Sequence, residues 1–61
     1  MTAPEVTAPP AVRAAYWRSM AVWAFDRARI WRDAGDEVIA YQWARTGHAL
    51  EARAVRLEAQ P

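Results

Sequence analysis

The chain has 61 residues, of which 54% are hydrophobic and 25% charged, with no cysteine and a formal net charge of +1. These values exclude a disulfide scaffold, a cysteine zinc site and thiol chemistry, and the chain is too short to enclose a deep catalytic cleft in its own core. No apolar run approaches the ~20 residues of a membrane span, and the apolar content is too high for a chain disordered throughout.

The first ten residues hold three of the four prolines and carry neither a helical nor a strand period. They read as a flexible, extended Pro/Ala-rich arm over residues 1–10. A basic start followed by a continuous apolar segment is missing, so a cytoplasmic location is expected. Pro10 suits the first turn of a helix, where its missing N–H costs nothing. From residue 11 to about 34 nothing breaks a helix, and Ala, Arg and Met favour one. Gly35 then supplies a left-handed cap and Asp36 an N-cap, with Glu37 adding negative charge at the positive end of the next helix.

A second uninterrupted run extends from residue 37 to about 59. Each helix is roughly 23 residues, or about 35 Å, long. A two-residue connection forces neighbouring helices to run antiparallel. The expected fold is therefore all-α: an antiparallel two-helix hairpin over residues 11–61.

A seven-residue repeat runs through both helices. Helix one divides at Ala14, Ala21 and Ala28, and helix two at Ala40, Gly47 and Ala54, so the first slot is always Ala or Gly. The fourth slot holds Trp17, Ala24, Trp31, Trp43, Leu50 and Leu57. Small residues at this interval let two helices approach closely, in the manner of a coiled coil. Folding at Gly35 brings residues whose numbers add to about 70 level with each other. Trp17 then lies near Ala54, Ala21 near Leu50, Ala24 near Gly47, Ala28 near Trp43 and Trp31 near Ala40. Large meets small in nearly every layer, the condition for interdigitated packing. At Gly47, alanine is expected to stabilise the helix by up to ~1 kcal/mol.

More apolar surface is present than one seam requires. On helix one, Val12, Tyr16, Met20, Trp23 and Ile30 form a second stripe, with Arg27 in its middle. On helix two, Tyr41, His48 and Val55 form a lesser one. Helices apolar over so wide an arc are normally buried on more than one side, and small chains with this surplus usually oligomerise. Tyr16, Met20, Trp23, Arg27 and Ile30 are therefore the expected oligomer or partner interface. A homodimer packed as a four-helix bundle is the leading arrangement. Arg27 must be paired, stacked on Trp23 or Trp31, bonded to Glu51 or Glu58 of a neighbouring helix, or extended to water.

Charge divides unevenly. Residues 11–34 carry five arginines against Asp26 and Asp33, a net of +3, whereas residues 36–59 carry three against Asp36, Glu37, Glu51 and Glu58, a net of −1. On the outward line of helix one, Arg18, Phe25, Arg29 and Arg32 place an aromatic ring among cations. This is a candidate macromolecule-binding face, because arginines grip phosphates while a base stacks on the ring. Asp26 and Asp33 lie close enough to neutralise those arginines. They also weaken a third reading, a helix lying on an anionic membrane surface.

Catalytic constellations are not evident. His48 and Glu51 make a His-x-x-Glu pair, too few ligands for a metal site. Ser19, the one serine, lies far from His48 along the hairpin, and Asp36 and Glu37 are explained by capping. No catalytic residue, metal or other cofactor is expected. The functional expectation is a small helical protein-interaction module, acting as adaptor, regulator or small subunit through binding itself or another protein. The alternative is a nucleic-acid-binding regulator using the Arg/Phe face.

Overall fold

The computed structural model describes residues 2–60. Helix α1 spans Pro10–Asp33 and helix α2 spans Glu37–Glu58. The two pack against each other along their length, and among the described residues there is no strand. Helix α1 starts at Pro10 itself, one residue earlier than its composition predicts. The Pro9 carbonyl accepts from the Val12 and Arg13 N–H groups at 3.0 and 3.1 Å, closing the first turn without a side-chain cap. Ahead of it the Ala8 N–H donates to the Glu5 carbonyl at 2.9 Å, forming a turn in the segment read as an extended arm.

The reversal is built from backbone hydrogen bonds around one glycine. Gly35 has φ +89°, a conformation that a Cβ would penalise. In that conformation the Gly35 N–H reaches the Arg32 carbonyl at 3.0 Å and the Asp36 N–H reaches the Trp31 carbonyl at 2.9 Å. These two bonds satisfy carbonyls that the end of α1 would otherwise leave open. Asp36 then caps α2, its carboxylate accepting from the Ile39 N–H at 3.0 Å. One residue thus ends the first helix and begins the second.

The seam is made of small residues. Ala14, Ala21 and Ala28 on α1, and Ala40, Gly47 and Ala54 on α2, are all buried. These are the six first-slot positions of the repeat. Ala24 and Leu57 join them from the fourth slot. The other fourth-slot residues, Trp17, Trp31, Trp43 and Leu50, are only half-buried. Among the described residues no large side chain is fully enclosed. The indoles therefore flank the alanine contact and do not insert into it. Helices brought together on methyl groups leave no space for an indole between them.

The register matches a fold-back at Gly35. Trp17 packs on the Ala14–Ala54–Leu57 cluster, and Arg53 lies over the same indole. Trp23 meets Trp43 across the seam. The Cα envelope measures 42 × 21 × 11 Å, with a radius of gyration of 13.1 Å, against about 10.5 Å for a compact domain of this length.

Two substitutions test this construction. Ala54 is fully buried at the seam, so Ala54→Leu should force the helices apart and cost about 1–3 kcal/mol in urea denaturation. Asp36→Ala should cost roughly 0.5–2 kcal/mol by removing the cap of α2.

Candidate functional site

Two flanks border the seam, and their chemistry differs. The first collects the aromatic residues. The Arg53 guanidinium carbon lies 4.1 Å from the centre of the Trp17 ring, a close cation–π contact between helices. Trp23 and Trp43 meet edge to face, with centroids 5.1 Å apart and planes at 89°, a favoured aromatic geometry. Arg27 sits beside both, 5.9 Å from Trp23 and 5.8 Å from Trp43. A shallow hollow of about 280 Å³ opens next to Trp43, lined also by Gln42 and Thr46.

The stripe predicted from sequence lies on this flank. Tyr16, Met20 and Arg27 are half-buried, and Trp23 and Ile30 remain 48% and 47% exposed. Of the alternatives for Arg27, the structure shows stacking, although the second ring is Trp43 of the opposite helix and not Trp31. Its Nε is buried without a hydrogen-bond partner. Arg53 and Trp43 were not singled out for this flank from sequence. The signal was present, since Arg53 and Trp17 have residue numbers that add to 70.

The second flank holds the line read as a macromolecule-binding face, and it is largely engaged within the hairpin. Arg18 pairs with Glu58 of α2. The hydrogen bond to that carboxylate, reinforced by its charge, raises the Arg18 pKa further above its already high ordinary value. Arg29 pairs with Asp26 one turn away at 2.5 Å. Phe25, expected on the solvent side among the arginines, is half-buried. A Cβ built on Gly47 would lie 2.8–2.9 Å from three of its ring carbons, and the ring meets His48 edge on, with centroids 4.9 Å apart. The side chain filling the space above Gly47 is thus Phe25, not its neighbour Ala24. Of the four residues on that line, Arg32 alone stays without an ion pair or packing role among the described residues.

His48 accordingly serves as a packing partner for Phe25. Among the described residues no three His, Asp or Glu side chains converge as a metal site would need.

Placing residues at 100° per position and using these cross-helix contacts as the guide, charge is segregated between the flanks. Arg13, Arg27 and Arg53 lie on the tryptophan flank with no acidic side chain. Glu37, Glu51 and Glu58 lie on the Phe25 flank, and Asp26 and Asp33 lean toward it from the outer surface of α1. Among the described residues Arg13, Arg27 and Arg53 make no ion pair.

No protein-family model, curated protein or solved structure matches this chain. The functional argument therefore rests on these two flanks.

Phe25 reverses the simple helix-propensity expectation at Gly47. A methyl group there must displace the ring, whose lost contacts outweigh the ~1 kcal/mol by which alanine favours a helix. Gly47→Ala alone should cost about 1 kcal/mol in urea denaturation. In a Phe25→Ala background the same change should instead stabilise by about 1 kcal/mol, a coupling within the range of directly contacting pairs.

Proposed function

We propose that this protein is a small helical protein-interaction module, an adaptor, regulator or small subunit, that works by docking helices of another chain on its tryptophan flank. The observation that carries this reading is the half-open state of Trp23 and Ile30 beside the Trp23–Trp43–Arg27 cluster. Total accessible area supports it. The chain exposes 4535 Å², whereas a compact protein of this mass exposes about 4,000 Å². The surplus of about 500 Å² is the size of a functional patch and more than half of the ~800 Å² each partner contributes to a standard interface.

Docking on this flank packs the hairpin against one or two further helices, and a second copy would make a four-helix bundle. Apolar burial alone gives a symmetric dimer only a marginal drive. About half the surface of Trp23 and Ile30 is already covered, and Tyr16 and Met20 are covered further. The remaining gain from the four is at most about 3–6 kcal/mol per chain. Twice that only matches the roughly 4–15 kcal/mol lost on association. The nucleic-acid alternative has less behind it, because Arg18, Arg29 and Phe25 are occupied within the hairpin.

Sedimentation equilibrium at micromolar concentration, read beside binding of an apolar fluorescent dye, tests the reading. Two outcomes support it: a dimer lost in Trp23→Asp but kept in Val22→Asp, or a monomer whose dye binding is lost in Trp23→Asp alone. A monomer that binds no dye ends it.

A further inference from the structure

We infer that the tryptophan flank receives an acidic amphipathic helix of a different protein, a conclusion that rests on the docking function proposed above. Arg13, Arg27 and Arg53 all lie on this flank, and none forms an ion pair among the described residues. The acids of the helices lie on the Phe25 flank or the outer surface. A two-fold dimer joins the same patch of both copies. Formed here, it would set three arginines of each chain against a surface that offers no carboxylate. The positive charge cannot be satisfied by self-pairing, and a partner that brings carboxylates meets it directly.

The surroundings of these arginines define the partner further. Arg53 lies over Trp17, and Arg27 sits beside Trp23 and Trp43. The guanidinium groups are thus held against aromatic surface, and the indoles are already engaged by cations and by each other. That leaves poor stacking platforms for nucleobases, which need an open ring face. Trp23 and Ile30, about half exposed, and the hollow beside Trp43 instead suit apolar side chains from one face of a helix. The buried Nε of Arg27 has no acceptor, so the guanidinium is left to bond outward through its other nitrogens.

Spacing sets a geometric requirement. Trp17, which lies under Arg53, and Arg27 are ten positions apart on α1, about 15 Å along the axis. Arg13 lies one turn beyond Trp17. The partner therefore presents an apolar stripe bordered by carboxylates about three turns apart, with a third one turn further on.

The test uses three synthetic 18-residue helical peptides with the same leucine stripe, flanked by glutamate, glutamine or lysine. Titrations are followed by tryptophan emission. The glutamate peptide should bind about tenfold more tightly than the glutamine one at low salt, the effect of three rim ion pairs of ordinary strength. That advantage should collapse at 1 M NaCl, where screening acts within about 3 Å. The double variant Arg27→Glu/Arg53→Glu should reverse the preference toward the lysine peptide. The milder Arg27→Gln/Arg53→Gln pair should flatten it, and carries the test if circular dichroism shows the glutamate pair unfolded. Arg29→Gln on the opposite flank should change nothing.

Equal binding of all three peptides would overturn the acidic partner while leaving apolar docking intact. A tight wild-type dimer abolished by Trp23→Asp would assign the flank to a second copy and overturn it as well. So would polyuridylate binding that survives 150 mM salt and competes with the glutamate peptide. Failure of every peptide, together with no dye binding, would remove the docking function itself.

Discussion

Close approach along the alanine and glycine seam is the constraint on which the rest of the molecule depends. Six positions spaced by sevens, Ala14, Ala21, Ala28, Ala40, Gly47 and Ala54, are buried between the helices. Methyl-to-methyl packing brings the two backbones near each other, and the contact is continuous because the period is kept on both sides of Gly35. Its cost is a core with almost no volume. Leu57 is the largest of its fully buried members, and alanine burial contributes little hydrophobic free energy per residue. Stability must come in addition from what leans over the seam from either side.

The bulky residues supply that cover, and they do so with different partners on each flank. On one side indoles stack with each other and with Arg27 and Arg53. On the other, Phe25 closes over Gly47 against His48, and Arg18 reaches Glu58. Glycine at 47 is therefore a steric device as much as part of the seam. It lets an aromatic ring lie directly on the opposite backbone. The flanks differ in completeness too. The Phe25 flank balances its charge internally, whereas the tryptophan flank keeps arginines without carboxylates and aromatic surface without a cover.

That asymmetry decides among the functions open to so small a chain. A hairpin whose two sides were equally satisfied would give no preference for where a partner docks. Here apolar surface, hollow and unbalanced positive charge coincide on one side. Each is modest alone, as apolar burial barely offsets the cost of association and exposed ion pairs are individually weak. Their coincidence favours a partner that answers both at once, and it disfavours a second copy that answers only one.

The helix limits, the Gly35–Asp36 reversal, the heptad and the fold-back register were all legible in the residues. Each follows from local chemistry or from a period running along one strand of covalent chain: a missing N–H at Pro10, a glycine able to adopt positive φ, a carboxylate at a helix start, an alanine every seventh position. The open stripe of Tyr16, Met20, Trp23, Arg27 and Ile30 was legible for the same reason. Which bulky side chain covers which small one was not. Phe25 looked like a solvent-facing ring because its own helix offers no neighbour there. Only the opposite backbone, brought close at Gly47, gives it one. Likewise Arg27 chose Trp43 over Trp31, and the tryptophans flank the seam where alternation of large and small suggested that they would enter it. Helix separation is a joint property of both surfaces in contact, and no periodicity along a single helix encodes it.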